Sequence, residues 1–90
     1  MQINWTTKAL NDAENIINYI AEENPIAALE TDDLIRKAVT ILETMPLAGR
    51  YGNLPNTREL VIHRNYFIIY EILPDCVRIL GVKHTRQQYP

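Results

Sequence analysis

The sequence predicts an α+β fold in two layers, in the order β-α-α-β-β-β, with an antiparallel helix hairpin packed on one face of a mainly antiparallel sheet. Three observations predict it. The last third of the chain holds three apolar runs rich in β-branched and aromatic residues, at 58–63, 66–73 and 76–83. Their connections are short, carry Asn65 and Pro74-Asp75, and therefore favour a meander, because parallel neighbours need long crossovers. Ahead of them lie two stretches of helical period, separated only by Asn24-Pro25.

In order, residues 1–5 alternate weakly, with Ile3 and Trp5 on one side, and read as a short strand. Thr6 or Thr7 suits the N-cap of a first helix, since a hydroxyl oxygen accepts from a free first-turn amide. From Lys8 to Glu23 the residues Leu10, Ala13, Ile17 and Ile20 form an apolar stripe, widened by Ile16 and Ala21. The opposite face carries Asp12, Glu14, Asn15, Asn18 and Glu22, read as solvated. Asn24 caps the next helix, and Pro25 at its first position loses no hydrogen bond. That helix runs to about Met45, with Ala27, Thr31, Leu34, Ala38, Ile41 and Met45 on one face and Ile35 and Leu42 flanking them. Residues 46–57 have no apolar period and contain three prolines and glycines within their first seven positions, Pro46, Gly49 and Gly52, so they read as a long loop. In the middle strand Tyr66 and Tyr70 share a face and read as packing residues. Gly81, inside the last strand, points to a bulge or a close backbone approach.

Length and composition bound the function. The 90 residues, 47% hydrophobic and 22% charged, fit one globular domain spanning 1–90. The longest apolar run falls far short of the roughly 20 residues that cross a bilayer, and no export signal is present, so a cytoplasmic protein is expected. One cysteine, Cys76, makes no staple and reads as a small strand hydrophobe. Two histidines and one cysteine show no metal-ligand spacing, and neither a metal nor a cofactor is expected. The net charge of −2 hides an asymmetry: residues 1–45 carry three basic against eight acidic side chains, and residues 46–90 six against three. Such a split concerns partners rather than fold.

Several strings along the chain, taken in order, resemble the RelE/ParE superfamily of bacterial toxins from type II toxin–antitoxin modules. They are the break at Asn24-Pro25 with Ala27-Ala28, the stretch Met45-Pro46-Leu47-Ala48-Gly49-Arg50, and Leu54-Pro55-Asn56-Thr57-Arg58-Glu59-Leu60. Tyr66 with Ile68-Ile69-Tyr70 follows, and then the ending His84-Thr85-Arg86-Gln87-Gln88-Tyr89-Pro90. The ending, with Gln before an aromatic residue and Pro, looks closer to the ParE-like, plasmid-stabilisation branch. The resemblance implies a growth inhibitor neutralised by a cognate antitoxin, an extended segment wrapped over helices and sheet. It also implies DNA gyrase as the target. The alternatives are a ribosome-dependent mRNA endonuclease of RelE type and a non-toxic homologue that only binds its antitoxin.

Each reading asks for different chemistry. Metal-independent RNA cleavage needs a base, an acid and cations around the phosphate. His84 would serve as base or acid, Arg58 and Arg78 would hold the phosphate, and Arg86 and Tyr89 would line the same edge. Two departures weigh against this set: Phe67 stands where RelE-like nucleases carry arginine after the strand-opening tyrosine, and Leu60 where they carry a lysine. A gyrase inhibitor needs only a presented surface, so the balance leans away from an enzyme. Its candidates are Arg50, Arg58, Arg64, Arg78, Lys83, Arg86 and Tyr89, because binding hot spots favour Arg and Tyr. The plainer roles are that Arg58 pairs with Glu71 or Glu59, His84 fixes the tail by hydrogen bonding, and His63 is a solvated turn residue.

Overall fold

The structure, a computed structural model, describes residues 1–86. Its elements are β1 (Gln2–Trp5), α1 (Thr7–Glu23), α2 (Pro25–Thr44), β2 (Arg50–Tyr51), β3 (Thr57–His63), β4 (Tyr66–Ile72) and β5 (Cys76–His84). The five strands form one sheet in the order β1-β5-β4-β3-β2. β3, β4 and β5 make the expected antiparallel meander, whereas β1 pairs parallel with β5. The helix pair is the crossover that a parallel neighbour requires. The two-residue strand β2 interrupts the expected long loop, pairing Arg50 with Glu59 and Tyr51 with Arg58. A ladder of two residues is too short to leave a period in the sequence.

Local signals set the helix ends. Thr6 Oγ1 accepts from the Ala9 amide at 3.0 Å and starts α1. Asn24 ends it by donating its amide to Ile20 O at 2.8 Å, and its Oδ1 accepts from the Ala27 amide at 3.0 Å to start α2. One residue thus closes one helix and opens the next, with Pro25 at the position where a missing amide costs nothing. Asn24→Ala is expected to lower stability by about 1 kcal/mol in a denaturant titration. An unchanged midpoint would mean that water replaces the cap.

The sheet decides which side of each helix is buried. In α2 the buried residues are Ala28, Thr31, Ile35, Ala38 and Leu42, an i, i+3, i+4 series. Ile35 and Leu42, expected as flanks, belong to it, while Ile41 and Met45 are exposed. Thr31 and Ala38 are common to both faces, so the buried face is turned from the expected one by about half the 100° step of one residue. In α1 the fully buried residue is Ala9, and Leu10 faces outward. A small side chain there lets the first turn lie close to the sheet. Asp12 is also corrected: it does not sit on a solvated face but accepts from the Val82 amide of β5.

The core beneath the helices joins Ala9, Ala38 and Leu42 to Ile68, Tyr70, Val77, Ile79 and Val82, with Trp5 packed against it. Fully burying each of its large aliphatic side chains stabilises the fold by about 1.5–3 kcal/mol. The helices cover one face only. On the other, Phe67, Ile69 and Cys76 are nonetheless buried, so that face is not bare. Among the described residues no helix is long and apolar enough to cross a membrane.

Candidate functional site

Three surfaces carry the residues of interest. The first is the loop between α2 and β3, which is tied down by β4 and β3. The Tyr70 hydroxyl donates to Pro46 O at 2.6 Å and accepts from the Gly49 amide at 2.9 Å. Burial pushes the Tyr70 phenol above its usual range, offset in part by the Gly49 amide and by Arg58, so the hydroxyl keeps its proton and donates. Arg58 Nη1 donates to Gly49 O at 2.8 Å and, at 3.5 Å, points at Leu47 O. Its guanidinium lies 4.5 Å from the centre of the Tyr51 ring. Thr57 Oγ1 donates to Leu54 O at 2.6 Å and closes the turn at Asn56, whose positive φ of 63° an asparagine tolerates. The loop is therefore held firmly, yet it displays Leu47 and Tyr51 to solvent, Tyr51 at 83% exposure.

The second surface is the end of the sheet where the β3–β4 turn meets the end of β5. The Thr85 amide donates to Asn65 O at 2.8 Å, and His84 lies opposite Tyr66 in the ladder. This brings Arg64, Lys83, His84 and Arg86 to one end. The His84 ring meets Tyr66 edge-on at 5.1 Å, and its Nδ1 accepts from the Arg86 amide at 3.0 Å, which fixes the turn as the plainer role for His84 foresaw. Burial raises the Tyr66 phenol above its usual range, and Tyr19 adds to the effect. Asn15, Ile16, Tyr19, Tyr66 and His84 line a shallow pocket of about 350 Å³ here.

The third surface is a groove on the outer side of the helix pair. Trp5, Leu10, Ala13, Ile17, Ile35 and Val39 line about 440 Å³ of it, with Glu14, Asp32 and Arg36 at the rim. It continues past Ile17 to Ala21 and Leu29, and Leu29 is 69% exposed. Leu10, Ile17, Val39 and Leu29 lie outside the buried stripe, and with the buried Ile35 and the core-packed Trp5 and Ala13 they make the groove apolar.

The structure does not bring the expected phosphate-binding pair together. Arg58 lies opposite Tyr70 and Arg78 opposite Glu71, and consecutive residues of β4 point to opposite faces. Arg58 is therefore on the helix side and Arg78 on the other. Arg58 pairs with neither Glu71 nor Glu59, as expected of it, but with loop carbonyls. Glu71 instead takes Arg78 at 3.1 Å, and the buried Glu59 takes Arg50 at 2.9 Å. His84 belongs to the Tyr66 row, four residues and about 13 Å along the strand from the Arg58 row. His63 is exposed in its turn, its Nδ1 accepting from the Asn65 amide at 3.2 Å. Tyr89 and the rest of the ending from Gln87 lie outside the described residues. Among the described residues no three potential ligands converge on a metal position.

Sequence reasoning missed three participants: Asp12, the Tyr70 hydroxyl and the groove residue Leu29. Asp12 carried one signal, its place three residues after Ala9 and four before Ile16, inside the buried side of α1. Tyr70 and Leu29 carried none that a one-dimensional pattern distinguishes from packing or plain exposure.

Comparison with known proteins places the fold and the sequence together. The model of the family described as ParE toxin of type II toxin–antitoxin system, parDE, matches residues 3–89. A Sinorhizobium fredii protein named as a candidate toxin, Y4kP, is 41% identical over 99% of this chain and 93% of its own. Toxin RelE2 of Caulobacter vibrioides is 32% identical over 93% of this chain and 94% of its own. Among solved structures, one of the chromosomal ParDE system from P. aeruginosa superposes with a TM-score of 0.84 at 25% identity, covering 93% of this chain and 95% of that one. A protein matched over nearly its whole length, with the same helix pair on the same sheet, is a member of the ParE toxin family within the RelE/ParE superfamily, and thus a toxin of a type II toxin–antitoxin system.

Proposed function

We propose that this toxin acts as a ParE-like inhibitor of DNA gyrase and is neutralised by a cognate antitoxin segment lying in the groove between α1 and α2. The observation that carries the inhibitor reading is the dispersal of the nuclease set. Arg58 and Arg78 occupy opposite faces, Arg58 is engaged with backbone carbonyls, and Phe67 stands where the nucleases carry a cation. Phosphate held from one side only would forfeit about 10²–10³ in rate for each lost donor. An inhibitor needs no such convergence. Its contact surface is the end of the sheet carrying Arg64, Lys83 and Arg86, with Arg50 and Arg78, exposed although paired with Glu59 and Glu71, on the face away from the helices. Tyr89, the remaining candidate, lies outside the described residues.

The groove supports the partner assignment. An amphipathic helix docks by laying its apolar side into such a trough, and Glu14 at the rim favours a segment with a Lys or Arg there, while Asp32 is paired with Arg36 at 2.8 Å. Purified toxin at micromolar concentration is expected to block gyrase supercoiling and trap cleaved DNA, and Arg86→Ala is expected to weaken this. Unimpaired supercoiling removes the gyrase assignment. The name of the Caulobacter relative, and the placing of His84 beside Tyr66, favour a RelE-like ribosome-dependent nuclease as the second reading. It predicts cut mRNA soon after induction, abolished by His84→Ala.

A further inference from the structure

β5 contains a bulge that the rest of its ladder does not require. Ile69 lies opposite Gly81 and Tyr70 opposite Ile79, so Leu80 is the extra residue. β1 accompanies β5 only as far as Ile79, where the Thr6 amide donates to Ile79 O at 3.1 Å. Past that point the edge of β5 has no neighbouring strand among the described residues. Its next amide on this side would face the start of α1 without a backbone acceptor.

Asp12 fills that role. Its Oδ2 accepts from the Val82 amide at 3.1 Å, across 70 residues of sequence. The same carboxylate receives Lys8 Nζ at 3.1 and 3.2 Å, and Lys83 Nζ lies 3.9 Å from Oδ2. A Cβ at Gly81 would stand 3.0 Å from Oδ2, closer than nine in ten such contacts, so the glycine leaves room for the carboxylate. One charged acceptor thus satisfies an edge amide, and charge-assisted bonds of this kind are about twice as strong as neutral ones. Lys8 and Lys83 offset the cost of keeping the carboxylate half-buried.

The segment gripped in this way, from Gly81 through His84, leads directly into Arg86. We infer that Asp12 is a positioning residue: by holding the Val82 amide against α1 it sets the course of the end of β5, and with it the presentation of the cationic strip. The inference rests on the reading of that strip as the target-binding surface. It gives Asp12 and Gly81 a shared purpose that neither the core nor the interhelical groove supplies.

The test compares Asp12→Ala with Asp12→Asn, which keeps a carbonyl oxygen for the amide and loses the charge. Amide hydrogen exchange of the purified toxin should rise at least about tenfold at Val82 and its neighbours in Asp12→Ala, with little change at Ile68 and Ile79. Asp12→Asn should restore most of the protection. A uniform rise across the sheet, or none, overturns the inference, because a merely stabilising residue moves all amides together. In cells, Asp12→Ala should reduce growth inhibition at least about tenfold without weakening antitoxin binding. Local loosening with full toxicity overturns the link to function. Arg86→Ala separates the two ideas: if it too leaves toxicity intact, the reading of the strip fails rather than the role of Asp12.

Discussion

Leu29→Asp should weaken antitoxin binding about 30-fold or more, while the isolated toxin remains folded and toxic. Leu29 lies on the continuation of the interhelical groove and is largely exposed, so a carboxylate there disturbs no internal packing. In a complex the same carboxylate would be buried against an apolar partner surface. Truncating or charging a central interface residue costs about 2 kcal/mol or more, and 1.4 kcal/mol is tenfold in affinity. Leu10→Asp, at the other end of the groove and also exposed, should act in the same direction. The measurement is calorimetric titration with the cognate antitoxin, beside a growth assay with both proteins expressed. Cells carrying Leu29→Asp should stop growing although the antitoxin is present. Unchanged affinity in both variants would move the antitoxin elsewhere, to the sheet edge or the loop.

Removing the anchor of the α2–β3 loop should cost about 1–3 kcal/mol of stability. Tyr70→Phe deletes a hydroxyl that serves two backbone groups at once, leaving the Gly49 amide and the Pro46 carbonyl without it. Gly49→Ala attacks the same place sterically. An added Cβ would stand 2.7 Å from the Tyr70 hydroxyl and 2.8 Å from Glu59 O, and the second of these is backbone that cannot swing away. The two substitutions act on one contact, so their effects should not add. Denaturant midpoints of both single variants and of the double variant would show this. Full additivity would mean that the hydroxyl and the glycine act independently. The folded-state phenol is raised above its ordinary value of 10.0, so its contribution is complete below pH 10 and is lost as pH rises through the higher folded value. Tyr70→Phe should accordingly flatten part of the alkaline decline in stability.

The loop anchor also explains why Arg58 misled a reading by residue type. An arginine on a strand beside two glutamates looks like an ion pair or a phosphate ligand. In the folded chain Glu59 and Glu71 are on the other face, because alternation along β3 and β4 puts them there, and each finds another arginine. Arg58 is left facing the loop carbonyls of Leu47 and Gly49.

The order of the two helices and of β1, β3, β4 and β5, the caps at Thr6 and Asn24 and the meander were set by neighbours in sequence, while the two-residue β2 was not. Period, turn residues and capping side chains act over a few positions, so a linear pattern reveals them, and the family resemblance follows from the same strings. The side of each helix that is buried was decided only in three dimensions, since both helices carry apolar residues on more than one face and the sheet selects among them. So was the fate of each charge. Asp12 meets Val82, Tyr70 meets Pro46 and Gly49, and Arg58 parts from Arg78 through strand register and helix placement, which join residues far apart in the chain.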